Sequence, residues 1–393
     1  MGLYDFDKKL DRKDTNSVKW SFIGEYTGVK DALPLWVADM DFETVPEIKE
    51  ELSRRAEHGI YGYTARTDSY YRELINWLER RQGFQVKQEW ITHSSGVVNA
   101  IYNSIYALSD EEDGVIIQPP VYHPFARAVT LTRRKLLLNP LVLKGGRYGM
   151  DYEGLEKILK AGGVRLLILC SPHNPVGRVF TAEELTLLGK LCIHYGVTVI
   201  SDEIHSDFIY RGHTFVPFAS VSEELEQNSI ICTAPSKTFN LAGLSTSNII
   251  IPNKALKSRY DSYCEARGLK SYNIFGALAA ETAYHYGEAW LEELLGYLEE
   301  NRDFAVTYFK TYLPEIKVIL PEGTYFLWVD FRNLNYNKEE LEEFLIKEAR
   351  LWLNQGYIFG KEGEGYARIN LACQKSTLEE ALNRLLKAIR KAA

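Results

Sequence analysis

The chain has 393 residues, 46% of them hydrophobic and 25% charged, with a formal net charge of −7. That composition is ordinary for a globular protein and excludes a disordered or low-complexity chain, while the acidic balance gives no reason to expect nucleic acid or an anionic membrane as partner. No stretch approaches the run of ~18 apolar residues that spans a membrane, and the charged start MGLYDFDKKLDRKD lacks a secretory apolar segment, so a cytoplasmic protein is expected.

Five cysteines (Cys170, Cys192, Cys232, Cys264 and Cys373) are odd in number and scattered, without a CxxC pair, which reads as buried reduced thiols. None of the eight histidines stands at HxxxH or HExxH spacing, so no metal is expected.

In chain order, THSSGVVNAIYNSIYAL (92–108) comes first, placing Ser95, Gly96 and Val97 at the start of a helix whose apolar face holds Val97, Ile101 and Ile105. Free N–H groups and hydroxyls there suit an anion such as a phosphate; plain N-capping by serine is the competing reading. The run GVIIQ (114–118) reads as a buried strand, followed by PPVYHPF (119–125). Tyr122 could stack on an aromatic ligand or sit in a core or loop. A second run, RLLILC (165–170), leads into SPHNPVG (171–177), a proline-braced loop that projects Asn174 as an amide donor or closes an Asx turn.

TAEELTLLGKLCIHY (181–195) predicts a helix, with Thr181 and Glu184 as capping box and Leu185, Leu188 and Cys192 on one face. The strand VTVIS (197–201) follows and delivers Asp202 just past its end in SDEIH (201–205), as a ligand carboxylate or a helix cap. SIICT (229–233) ends in APSKTFNLAGL (234–244), where Lys237 is either a solvated loop lysine or a functional amine. SNIII (247–251) closes the series. Short β-branched runs alternating with amphipathic segments predict an α/β fold, a mostly parallel central sheet covered by helices.

From about Glu288 the chain turns to charged amphipathic helices with one alternating apolar segment, GTYFLWVDF (323–331), and a last helix from about Thr377. This predicts a smaller α+β domain over 288–393, a large domain over 46–287, and an arm over 1–45 belonging partly to the small domain. GYARINLAC (365–373) sets Arg368 in apolar surroundings, as a carboxylate clamp or half of an internal salt bridge. Each feature has an ordinary explanation alone; four strand ends delivering a lysine, an acid, an asparagine and a tyrosine together do not.

SPHNPVG, SDEIH, APSKTFNLAGL and ARINLAC resemble the fold-type I pyridoxal-phosphate enzymes of the class I/II aminotransferase group, over nearly the whole chain. LPLWVADMDF (33–42), with DEIH and PSKTFNLAGL, is similar to the cystathionine β-lyase branch, the MalY/PatB type. The resemblance implies pyridoxal 5'-phosphate held covalently by Lys237, with Asp202 on the ring nitrogen, Asn174 and His205 near O3′ and Tyr122 on the ring face. Ser95, Gly96, Val97 and Ser236 would hold the phosphate. Arg368, with Val37 and Ala38, would bind the amino-acid substrate, and Tyr63 of YGYT (61–64) would reach the site of the neighbouring subunit in a homodimer, Tyr61 being the alternative. Two departures stand out: His205 replaces a tyrosine found in many members, and Ser245 replaces a phosphate-binding arginine eight residues after Lys237.

The implied activity is β-elimination from cystathionine or other cysteine S-conjugates to a thiol, pyruvate and ammonia. The rivals are an aminotransferase, which shares the same cofactor residues, and a regulator retaining the fold. A dinucleotide enzyme is discounted, since GKEGEG (360–365) lacks GxGxxG spacing.

Overall fold

A computed structural model describes residues 2–392. Its largest sheet has seven strands: β1 (Ile91–Ser94), β2 (Gly114–Ile117), β3 (Lys135–Leu138), β4 (Val164–Cys170), β5 (Thr198–Asp202), β6 (Ser229–Thr233) and β7 (Ser247–Ile250), ordered β1-β7-β6-β5-β4-β2-β3. The neighbours from β6 through β3 are parallel, whereas β7 runs antiparallel to both β6 and β1. Helices cover both faces, and the period of two divides each apolar run between two cores. Ile116, Leu167, Leu169, Val199 and Ile231 face one cluster; Val115, Leu166, Ile168, Ile200 and Ile230 face the other. Truncating Ile200, fully buried, to alanine would cost about 2–5 kcal/mol.

The direction of β7 has a consequence for the site. Because it is antiparallel, its first residue Ser247 lies opposite Ser94, the last residue of β1, and its next residue pairs with Thr233 at the end of β6. The start of β7 and the end of β1 therefore share the edge where β2, β4, β5 and β6 end. All six strands deliver loops to one rim.

The helix α1 (Val97–Leu108) starts at that rim and buries Val97, Ile101 and Ile105. The helix α2 (Ala182–His194) opens with the expected capping box: Thr181 Oγ1 accepts from the Glu184 amide at 3.3 Å, and Glu184 Oε2 from the Thr181 amide at 2.9 Å. All five cysteines are buried and unpaired.

A second sheet is wholly antiparallel: β8 (Lys317–Ile319), β9 (Phe326–Asp330), β10 (Asn354–Gln355) and β11 (Tyr366–Asn370), in the order β8-β9-β11-β10. Leu327, Val329, Ala367 and Ile369 face a third core closed by the final helix, which runs Lys375–Ala392 and so begins two residues before the expected Thr377. The helix α3 (Glu288–Tyr312) bridges the sheets, with Trp290, Leu291 and Leu294 in the main core and Ala305 and Phe309 in the third. Leu33–Pro34 pairs in parallel with Leu351–Trp352 as a separate two-stranded sheet, and the Asn370 backbone amide donates to the Leu35 carbonyl at 2.9 Å, fastening the first part of the chain beside the second sheet. Among the described residues no helix is long and apolar enough to cross a membrane.

Candidate active site

The rim encloses a cavity of about 220 Å³ lined by Ser95, Gly96, Val97, Tyr122, Asn174, Asp202, His205, Ser236 and Lys237, with Ala38 from the first part of the chain. Of the site residues expected from the sequence, Val37, Arg368, Tyr63 and its alternative Tyr61 are not in that lining. Asp202 is the last residue of β5 rather than just past it, so strand geometry itself aims its side chain.

Lys237 Nζ donates to the Ala38 carbonyl at 2.7 Å, and the Tyr325 hydroxyl donates to the same oxygen at 3.1 Å. That carbonyl is held in place by amide side chains on both sides. Asn370 Nδ2 donates to the carbonyls of Val37 and Asp39, each at 2.7 Å, and Asn240, three residues after the lysine, bonds the backbone of Met40 and Phe42. Below it, Lys19 is fully buried against Asp41 at 2.7 Å. Burial pulls the Lys237 amine down to about 8, helped by the Arg368 charge and opposed by Asp39 and Asp202.

Asp202 Oδ1 accepts from the Ile204 amide at 3.1 Å, the one protein hydrogen bond of this carboxylate among the described residues. Burial pushes it up to about 7, against that hydrogen bond and the Lys237 charge. A buried acid so poorly compensated suits a cationic ring nitrogen as partner. His205 lies between Tyr325 and Phe326, with Nδ1 unpartnered; burial, then the Lys237 and Arg368 charges, hold it well below its ordinary pKa. Burial likewise raises the Tyr122 phenol, which stays protonated.

Arg368 sits on β11 between Ala367 and Ile369, so alternation turns it away from the third core and toward the cavity side. It forms no salt bridge among the described residues, which removes the ion-pair reading. Instead Nη1 donates to Asn174 Oδ1 at 2.8 Å, and Nη2 to the Trp36 carbonyl at 2.7 Å and to Asn354 Oδ1 at 2.5 Å. Phe326 and Phe359 flank the guanidinium, its carbon 4.0 Å and 5.1 Å from their ring centroids. Burial lowers it to about 10, so it remains a cation surrounded by neutral groups. Asn174 thereby spends its oxygen on Arg368 and leaves its Nδ2 as donor.

At the far end α1 has no side-chain cap, and a Cβ built on Gly96 would meet nothing within 4 Å. The amides at the start of α1, beside Ser95 and Ser236, are thus left open, and helix N-termini of this kind suit an anion. Tyr63 is fully exposed, outside its own chain's cavity. Tyr325, Asn354, Asn370 and Asn240 were not foreseen: Tyr325, Asn370 and Asn240 meet their partners across about 200 positions or more, and Asn354 meets Arg368 only through the register of β10 and β11.

Residues 30–385 match the family model for aminotransferase class I and II. Cystathionine beta-lyase PatB of Bacillus subtilis (strain 168) is 43% identical over 98% of this chain and 99% of its own length. Protein MalY of Escherichia coli (strain K12) is 31% identical over 99% of both chains. The crystal structure of cystalysin from Treponema denticola, which contains a pyridoxal 5'-phosphate cofactor, superposes with a TM-score of 0.97 at 37% identity, covering 100% of both chains. With lysine, aspartate, asparagine and tyrosine brought to one rim and relatives matching end to end, the chain belongs to the aminotransferase class I and II family, in its MalY/PatB branch.

Proposed function

We propose that this protein is a pyridoxal-phosphate-dependent carbon–sulfur β-lyase that cleaves cystathionine or related cysteine S-conjugates, with water, to a thiol, pyruvate and ammonia. The observation that carries the reading is a set of ionisable groups left without salt-bridge partners at one cavity: part-buried Lys237 and buried Asp202 in its lining, and buried Arg368 bonded to the lining residue Asn174. Each matches one part of the cofactor–substrate pair.

The residues fit the cofactor. Lys237 would hold it covalently, Asp202 would face the ring nitrogen, Asn174 Nδ2 and His205 would lie toward O3′, and Tyr122 would cover the ring. Ser95–Val97 and Ser236 would take the phosphate. When bound, pyridoxal phosphate supplies a conjugated ring that accepts the electron pair released at the substrate α-carbon.

The chain's own groups do the rest. Asp202 keeps the proton on the ring nitrogen, and losing its charge would weaken that hold. Arg368 grips the α-carboxylate in bidentate fashion, displacing weaker neutral contacts, and Val37 and Ala38 wall the same side. Lys237, with its pKa already lowered, is the base for the α-proton, and the Ala38 carbonyl fixes where its nitrogen points. Sulfur then departs from the β-carbon with the bonding electrons.

The test is to incubate the purified protein with cystathionine and with S-methylcysteine, following pyruvate without any 2-oxo acid. Pyruvate formation supports the lyase; turnover that appears only when a 2-oxo acid is added overturns it in favour of transamination.

We also infer a cytoplasmic homodimer with sites at its interface. Ile60, Tyr61 and Tyr63 are exposed side by side in one segment, at 67%, 58% and 111%, an apolar cluster that a second copy would cover. A fully active monomer in sedimentation would remove this, as would failure of Tyr63→Phe and Lys237→Ala subunits, each inactive alone, to complement one another in mixed dimers.

A further inference from the structure

Ser245 leaves the phosphate end of the cavity without a cation of its own, because Lys237 is the only lysine or arginine among the described lining residues and burial holds His205 well below its ordinary pKa. The adjoining residue, Thr246, lines the same cavity and is buried. Its hydroxyl accepts from Arg66 Nη2 at 3.0 Å. A hydroxyl that accepts from a guanidinium still has its own proton to give, and among the described residues no protein group takes it. The cavity is the neighbour that remains.

We propose that Arg66 supplies the countercharge for the cofactor phosphate, acting through the Thr246 hydroxyl. The inference rests on the pyridoxal-phosphate reading above and makes Arg66 a positioning residue and Thr246 the group that touches the phosphate.

The surroundings hold both members of this relay in place. Arg66 also donates from Nη1 to Asn248 Oδ1 at 2.8 Å and from Nη2 to the Ser247 carbonyl at 3.1 Å, and its guanidinium carbon lies 4.4 Å from the Tyr70 ring centroid. Ser245 takes a left-handed backbone, φ 47°, which turns the chain between Leu244 and β7. On the other side Gly276 lies so near that a Cβ there would meet the Leu244 carbonyl oxygen at 2.4 Å and Thr246 Cβ at 3.2 Å. A guanidinium one hydroxyl away stabilises a dianion less than a direct contact does, yet polarises the O–H so that it donates more strongly.

The alternative is that Arg66 merely ties its loop to β7. Discrimination between phosphorylated and unphosphorylated ligands separates the two. Full-length protein, stripped of cofactor with hydroxylamine, is titrated with pyridoxal phosphate, with pyridoxal, and with inorganic phosphate as competitor, following intrinsic fluorescence. Arg66→Gln should weaken pyridoxal phosphate roughly 10-fold or more, as expected for loss of a charge-assisted contact, and weaken inorganic phosphate in parallel. Pyridoxal should change less than about 2-fold. Thr246→Val, which leaves the other contacts of Arg66 in place, should show the same selective loss, and the double variant should be little worse than Arg66→Gln. Equal weakening of pyridoxal and its phosphate, or no change in either, would overturn the proposal. Should the unaltered protein bind neither compound, the cofactor reading itself falls, and this inference with it.

Discussion

The two sheets furnish the cavity in opposite ways. The seven-stranded sheet contributes groups that end its strands: Asp202 as the last residue of β5, Lys237 four residues beyond β6, Asn174 four beyond β4. The four-stranded sheet contributes Arg368 from the middle of β11, opposite Trp328 in register, with Asn354 of β10 as partner. Strand ends give a side chain freedom to serve a ligand, at the place where open α/β sheets bind them. A residue in mid-strand has its direction fixed by alternation, and it can serve the ligand only because the whole sheet is docked at the right distance. On the proposed function, the large sheet would carry the bond-making groups and the small sheet would present the grip on the substrate.

If that division is right, damage on the large-sheet side should strike chemistry and damage on the small-sheet side should strike binding. The largest expected effect is Lys237→Ala, which should abolish both turnover and the borohydride-reducible link to the cofactor; a link re-formed at another lysine would break the assignment. Asp202→Asn should leave the fold intact and lower turnover by roughly several orders of magnitude, measured as kcat, since its charge stabilises the ring proton. No helix begins at Asp202, so near-normal kcat would reduce it to an acid that caps the turn at the Ile204 amide.

Arg368→Ala should instead raise KM by roughly 30-fold or more while cofactor absorbance stays like the parent's. Lower thermal stability with unchanged KM would show the guanidinium to be structural. Tyr325→Phe, on the small-sheet side, removes one of the two donors to the Ala38 carbonyl. It should lower kcat by about 5- to 10-fold at nearly constant KM, the cost of one hydrogen bond that orients the base. This would sharpen the comparison by marking where the small sheet begins to touch chemistry; an altered KM alone would place Tyr325 with Arg368.

The smallest effect concerns stability of the cofactor-free protein. Asp202 is raised to about 7 from 3.8, so between roughly pH 4 and 7 the native chain keeps a proton that the unfolded chain has lost. Stability from this group thus falls as pH rises through that window. Asp202→Asn should then raise the melting temperature of the apoprotein by about a few degrees near pH 8, with the gain vanishing toward pH 4. A gain that is the same at both pH values would mean the carboxylate is not held at that cost.

How much of this was legible follows the same division. The runs around Val115, Ile168, Ile200 and Ile230 show strands buried on both faces, since only apolar residues can fill both directions of the pleat. The functional groups adjoin those runs directly, so Lys237, Asp202, Asn174 and Tyr122 could be picked out beside them. Arg368 could be seen, but not its partners: Trp36, Asn174 and Asn354 stand 332, 194 and 14 positions away. The acceptor for Lys237 is a backbone carbonyl, which every residue has and no sequence pattern distinguishes.

By itself the sequence determined the alternation of strands and helices, the order of the strand-end residues and the chemistry each side chain can offer, because these depend on local periodicity and residue type. Tertiary structure alone decided that β7 would run backward, setting Thr246 and Ser95 on the rim of the parallel strands, and that Arg66 would meet Thr246 from 180 positions away. Tertiary structure also decided that Asp202 and Arg368 would be buried, and Lys237 part-buried, without salt-bridge partners among the described residues. Desolvation and pairing belong to the assembled interior, where distance in space replaces distance along the chain, and that is what turns ordinary residue types into one site.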